Sequence, residues 1–347
     1  MEITAEYKDW ITEVKAKVRS SQIKAALAAN SELIRFYWEL GQMISEKQVK
    51  WGDNLIDLVA KELKSEFPDM KGLSRSNLFY ARQFYIFYQD TEKSNDSLDK
   101  LSNNMLDKVP WGHNILIFSR SKSIIEALFY VQQTIENGWS RDILALQIKS
   151  KLYERTGKAI TNFTTTLPDT KSELAQQTLK DPYIFDFVNM TARSKEKDIE
   201  EQLTQNILRF LLELGKGFAF IGRQYRLELS DKEYFIDLLF YHIPMQCYVV
   251  VELKNKDFQP EYAGKLNFYL TLVDKTLKRP TENPTIGILL CRDKNNLEVE
   301  YALQDINKPM GVSGFEITEI LPDELKSSLP TIEEIEEQLK IDGNGED

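Results

Sequence analysis

Along the first half of the chain apolar residues recur every three to four positions, and in the second half they alternate or run unbroken. Residues 7–46 read as one helix with Ile34, Tyr37, Trp38, Leu40 and Ile44 at helical spacing. Residues 53–67 form a second amphipathic helix, closed by Pro68. A short turn with Gly72 leads to Ser74, a good N-cap, and to a third helix over 75–88. Helix, glycine-bearing turn, helix is the outline of a helix-turn-helix. Arg75 and Arg82 on the third helix suit phosphate or base contacts, which makes nucleic acid or a protein partner one reading. Phe79, Tyr80, Phe84, Tyr85 and Phe87 on the same helix suit a packed core, which is the other. Residues 91–108 are polar and read as a loop. Val109 to His113 turn into a further helix, and 123–153 holds two more, parted near Gly138 and Trp139.

The Thr-rich, non-periodic stretch 156–172 is the best domain boundary. It divides the chain into a helical N-terminal domain over 1–155, a linker over 156–172, a second domain over 173–320 and an acidic tail over 321–347. Within the second domain a short helix over 172–181 precedes a long one over 194–214, which Gly215 and Gly217 end. Strands follow over 218–229, 233–241 and 247–254, then a helix over 260–277 with Pro260 in its first turn. A wholly apolar strand over 285–291, a helix over 296–306 and an edge strand over 314–317 complete the pattern. The fold class is mixed α+β: an all-α domain, then the order αβββαβ.

Composition narrows the function. Apolar residues make up 42% and aromatic residues 11%, values of a chain that buries a core. The absence of any apolar run near twenty residues or of a secretory h-region gives the expectation of a cytoplasmic protein with no membrane partner. Two cysteines and two histidines are too few for a zinc finger. No phosphate-binding glycine loop and no nucleophile elbow occur. The net charge of −10 looks wrong for a nucleic-acid partner, but residues 319–347 alone supply −8 of it.

The chemistry gathers on the hairpin around His242 and Pro244. Residues two apart share a face of a strand, so Glu252 and Lys254 point the same way, and Asp237 lies mid-strand beside them. Charges inside apolar runs require partners. One reading is a salt bridge from Lys254 to Asp237 or Glu252. The other is a metal site, because two converging carboxylates repel unless a hard cation such as Mg²⁺ lies between them.

Asp237, followed fifteen residues later by Glu252-Leu253-Lys254, resembles the D…(D/E)-x-K signature of the PD-(D/E)XK nuclease superfamily. The segments FLLELGKGFAFIGRQYRLEL, IDLLFYH, VVVELK, PEYAGKLNFYL and PTIGILLC, with IRFYWELGQMI, KGLSRSNLFYARQFY and VPWGHNILI upstream, resemble the YhcG-like family over nearly the whole chain. Ile236 stands where the superfamily's nominal proline would be. The resemblance implies a restriction-endonuclease-like domain that hydrolyses phosphodiesters, in DNA, with Mg²⁺ or Mn²⁺. It implies Asp237, Glu252 and the Leu253 carbonyl as metal ligands, Lys254 as the group that orients water or stabilises the developing oxyanion, and Glu200 as an additional acid. Arg223, Gln224, His242 and Lys265 are the nucleic-acid candidates of this domain. Lys265 and Tyr269 are spaced like a glutamine and tyrosine that some relatives use. A catalytically silent binding module on the same fold, or a homo-oligomer or protein partner held by the helical domain, is the alternative.

Overall fold

The computed structural model describes residues 5–51, 54–89, 105–188 and 195–317, in two compact units that divide between Lys149 and Ser150. The acidic tail and most of the polar loop expected over 91–108 lie outside the described residues.

Unit 1 is helical. Its elements are α1 (Ala5–Trp51), α2 (Leu55–Glu66), α3 (Arg75–Tyr88), α4 (Trp111–Arg120), α5 (Ile124–Asn137) and α6 (Arg141–Lys149). Ser74 caps α3 by accepting from the Asn77 N–H. Leu78 to Ala81, Gln83, Phe84 and Tyr88 of α3 are all buried, so half of that helix is core. Tyr37 stacks on Trp111 at 4.3 Å, and Phe84 sets its edge against Trp38, Trp111 and Tyr88. At Gly41, α1 crosses α3 so closely that a Cβ would lie 2.0 Å from the Ala81 carbonyl oxygen.

Unit 2 opens with α7 (Leu152–Arg155), β1 (Ile160–Thr161), α8 (Phe163–Thr166), α9 (Asp169–Thr178) and β2 (Tyr183–Ile184). The αβββαβ core follows: α10 (Glu196–Gln205) and α11 (Ile207–Leu214), β3 (Phe218–Leu229), β4 (Lys232–His242), β5 (Cys247–Lys254), α12 (Pro260–Thr276) and β6 (Ile286–Cys291). α13 (Asn296–Leu303) and β7 (Met310–Glu316) end it. The sheet order is β1-β7-β6-β5-β4-β3, with β2 also on β7. The β3-β4-β5 meander is antiparallel and β5-β6-β7 is parallel. One face packs Leu238, Phe240, Val249 and Val251 against Ile199, Leu203, Phe210 and Leu214 of α10 and α11. The other packs Val250, Leu289 and Val312 against Leu266, Leu270 and Val273 of α12.

Three expectations change. Residues 156–172 are not a linker but part of unit 2. Ile160 and Thr161 pair with Val312 and Gly311, Phe163 and Leu167 are core, and the Asn162 amide donates to the Ile306 and Lys308 carbonyls. Threonine-rich composition hid two anchoring apolar residues. The helix over 194–214 is two helices, because Asn206 leaves the helical region at φ −107°, ψ 39° and its side chain donates to the Gln202 carbonyl. The last strand begins at Met310, earlier than its pattern suggested, and is flanked by β6 and by β1 and β2 rather than lying at the edge.

The start of unit 2 is pinned by buried charge. Arg155, Lys180 and Glu213 are each at most 7% exposed. Arg155 Nη1 lies 2.5 Å from Glu213 Oε1, and the same oxygen accepts the Ile184 N–H at 2.8 Å. Lys180 donates to the Glu213 carbonyl. Removing one member of such a set strands the others. Glu213→Gln is therefore expected to destabilise unit 2 by about 3–5 kcal/mol, read as a fall in the midpoint of urea unfolding; an unchanged midpoint would show that the set contributes no stability.

Candidate active site

The site forms where β4 and β5 part. Their backbone pairing runs from His242↔Cys247 to Leu238↔Val251 and stops there. One amide on each strand finds a side-chain acceptor instead. The Asp237 N–H donates to Glu252 Oε1 at 3.3 Å, and the Leu253 N–H donates to Asp237 Oδ2 at 3.1 Å. Each carboxylate thus takes the place of a ladder partner and is fixed by the other strand's backbone.

The neighbouring strand has a matching irregularity. β3 slips register between Phe220 and Gly222, and Gln224 adopts a left-handed φ of 47°. Beside this point β4 exchanges faces: Leu238 packs on the α10–α11 side, whereas Ile236, two residues away, packs on the α12 side. A non-glycine residue held at positive φ is strained, and here the strain coincides with a polar task. The Gln224 amide donates to Glu200 Oε2 at 2.7 Å and to Asp237 Oδ1 at 3.3 Å, joining two acids.

Lys254 occupies the centre. Its Nζ is 2.8 Å from the Leu253 carbonyl oxygen, 3.3 Å from Glu196 Oε2 and 3.7 Å from both Asp237 Oδ2 and Glu252 Oε2. Lys265, on α12, places its Nζ 3.1 Å from Glu252 Oε2 and 5.0 Å from the centre of the Tyr269 ring. Asp237, Glu252 and Lys254 are 8%, 1% and 8% exposed, so the cluster is recessed.

Burial and then the Asp237 charge push Glu252 up to about 7. The same two causes raise Glu200. Burial disfavours the charged forms of Lys254 and Lys265, but the surrounding carboxylates outweigh it and both lysines are raised, remaining firmly charged at neutral pH. Glu200, Asp237 and Glu252 thus face two fixed cations.

Of the residues expected from sequence, Asp237, Glu252, Leu253, Lys254, Glu200, Gln224 and Lys265 are brought together. Arg223 is half-buried, and its charge acts on Glu200. His242 is not at the cleft. It is 2% exposed with its ring 4.8 Å from Phe218, and its Nδ1 accepts the Met245 N–H. It sits at the far end of the β4–β5 ladder, where burial depresses it to about 4 and keeps it neutral. In unit 1, Arg75 is exposed and 2.7 Å from Asp57 Oδ1, and Arg82 is half-buried on α3. Glu196 was not singled out from sequence. It holds both the Lys254 ammonium and the Asn255 N–H, the latter at 3.2 Å. Its signal was its place one helical turn before Glu200, on the same side of α10.

Among the described residues no three His, Cys, Asp or Glu side chains close on a common point as a ready-made metal site. The donors that do converge are two carboxylates and a peptide carbonyl, all hard oxygens, which fit a cation that keeps part of its water, such as Mg²⁺ or Mn²⁺.

The Gln224 amide separates the Glu200 and Asp237 charges. Gln224→Glu keeps the shape and sets a third carboxylate against those two. It is expected to lower stability by about 1–3 kcal/mol at neutral pH, measured by thermal unfolding; a variant as stable as the parent would show that the amide bridge is dispensable.

Comparison with known proteins agrees with this geometry. Residues 176–330 match the family described as the YhcG PDDEXK nuclease domain, and residues 13–155 match the DUF1016 N-terminal domain. The chain is 30% identical over 336 residues to the protein named "Putative nuclease YhcG" of Escherichia coli (strain K12), with 88% of each chain covered. A repair endonuclease from Pyrococcus abyssi aligns over 38% of this chain and half (50%) of its own at 13% identity, with a TM-score of 0.24, too low to bear on function. On the extent of these matches the chain belongs to the YhcG family, with a DUF1016 N-terminal domain followed by a PDDEXK nuclease domain.

Proposed function

We propose that unit 2 is a cytoplasmic nuclease domain that hydrolyses phosphodiester bonds in DNA at the Asp237–Glu252–Lys254 cluster, with Mg²⁺ or, in its place, Mn²⁺. One observation carries the reading: the Leu253 carbonyl and one oxygen each of Asp237 and Glu252 all lie within 3.7 Å of the Lys254 ammonium. A set of oxygens that gathers one positive charge so closely suits a divalent cation.

Asp237, Glu252 and the Leu253 carbonyl would hold the ion, which when bound supplies charge neutralisation at the scissile phosphate and eases ionisation of a water. Lys254 orients the attacking water and stabilises the negative oxygen that develops. Glu196 holds the ammonium in place, Lys265 holds Glu252, and Gln224 with Glu200 holds Asp237. The Arg223 guanidinium, whose Nη1 has no hydrogen-bond partner among the described residues, is suited to a phosphate oxygen beside Glu200. Unit 1 contributes nucleic-acid or protein-partner contacts, with Arg75 and Arg82 as its candidates, Arg75 leaving Asp57 to do so.

Lys254→Met is expected to reduce cleavage of supercoiled plasmid by about 100-fold or more while leaving DNA affinity within about threefold. One charge among many phosphate contacts adds little affinity, whereas its work falls at the transition state. Comparable cleavage by both proteins would remove Lys254 from the mechanism, and binding without cleavage by the parent would favour the silent binding module.

The cation can be tested without a substrate. At about a hundred times its Kd a ligand stabilises the folded state by roughly 2.7 kcal/mol. Mn²⁺ should therefore raise the melting temperature of the parent by a few degrees and that of Asp237→Asn by clearly less. Equal shifts in the two proteins would place the ion elsewhere.

A further inference from the structure

Beyond Lys254 the chain forms an open cavity of about 510 Å³ lined by Lys256, Asp257, Gln259 and Tyr262. Nothing in the cluster's own chemistry requires it. Tyr262 lines it, and Lys254 Nζ lies over the Tyr262 ring at 5.7 Å from its centre, so whatever enters the cavity is next to the cluster. The walls are held from behind. Phe258 is 2% exposed and its N–H donates to the Asp293 carbonyl, while the Lys256 carbonyl accepts the Arg292 N–H. Gln259 then begins α12, with Pro260 in the first turn and the Tyr262 N–H bonded to the Gln259 carbonyl. The loop is therefore anchored at each end, and its exposed side chains Lys256 and Gln259 project from a fixed backbone.

An aromatic wall, an amide and a lysine beside a phosphodiester-cleaving cluster match the parts of one nucleotide. The ring offers a stacking surface to a base, Gln259 offers a donor and an acceptor to a base edge, and Lys256 offers a charge to a phosphate. A paired base cannot use the wall, because both its faces are already stacked in the duplex. The recess of the cluster favours the same kind of strand. Asp237, Glu252 and Lys254 are all below one-tenth exposed, so the scissile phosphate must descend to them, which a flexible strand does more readily than a stiff duplex.

We infer that the Tyr262 cavity is a subsite for an unpaired nucleotide flanking the scissile phosphate, so that the preferred substrate is a single-stranded or locally unpaired segment. The base stacks on Tyr262 and its phosphate meets Lys256. This rests on the nuclease reading above and adds to it the structure of the substrate.

The test uses the full chain in EDTA, so that binding is read without cleavage, with fluorescent poly-dT, poly-U and a blunt DNA duplex of the same length as probes. Tyr262→Leu keeps an apolar side chain at a position that packs on the α12 core but removes the ring; Tyr262→Phe keeps the ring. Single-strand affinity should fall by about 5- to 150-fold in Tyr262→Leu, stay within about twofold in Tyr262→Phe, and duplex affinity should change by less than about twofold in both. Equal losses on strand and duplex, no loss on either, or tighter binding of duplex than of single strand by the parent would overturn the subsite. If the parent binds and cleaves DNA but Tyr262→Leu behaves like it, only the subsite falls. If the parent binds none of the three probes and cleaves nothing, the nuclease reading falls with it. Preference between poly-dT and poly-U separates a DNA strand from an RNA strand at the same wall.

Discussion

Two peptide N–H groups, at Asp237 and Leu253, would be left unpaired where β4 and β5 separate, and an unpaired buried amide costs as much as a lost hydrogen bond. Carboxylates supply the missing acceptors. Most of the site follows from that substitution. The fork opens a gap at the end of the sheet, the acids that close it are fixed by backbone, and their charges require cations. Lys254 and Lys265 answer from β5 and α12, and Glu196, Glu200 and Gln224 complete the shell from α10 and β3. The acids are thus part of the strand pairing and part of the candidate site at once. For that reason their positions depend on main-chain geometry rather than on long, freely rotating side chains.

What the sequence made legible follows from the same geometry. A period of two placed Glu252 and Lys254 on one side of β5, and a mid-strand Asp237 lay within reach; the fork then turned that proximity into contact. The salt bridge and the metal site, posed as alternatives, are not exclusive on this geometry: Lys254 pairs with both carboxylates within the oxygen set that suits a cation. Gln224 was legible as a polar residue on β3, but its job of joining Glu200 to Asp237 depends on a left-handed backbone and a register slip that no periodicity reveals. Glu196 was hidden because an acid in a helix's first turn has a sufficient local reason to be there. His242 shows the opposite failure. Its position five residues after Asp237 suggested the cleft, while strand length carried it to the far end of the ladder and into the core.

The element order was read more easily than the domain boundary. Apolar period distinguishes helix from strand, whereas a boundary depends on which residues find partners far along the chain. Asn162 reaches carbonyls at Ile306 and Lys308, and Arg155 reaches Glu213, separations that composition cannot express. In unit 1 the aromatic residues of α3 satisfied the helical period in either reading, and only their burial beside Trp38 and Trp111 shows how much of that helix is spent on packing.

The irregularity in β3 reaches further than the site it shapes. Among the described residues β3 pairs with β4 alone and forms one margin of the sheet. A long, regular strand in that position exposes a continuous row of backbone donors and acceptors, on which another extended chain can add and begin aggregation. The slip between Phe220 and Gly222 and the left-handed Gln224 break that row in its middle, and Arg226 and Glu228 charge its outer stretch. The feature that aims an amide at two carboxylates therefore also serves solubility, and a substitution that smoothed the strand would expose the protein to self-association as well as misplace Asp237.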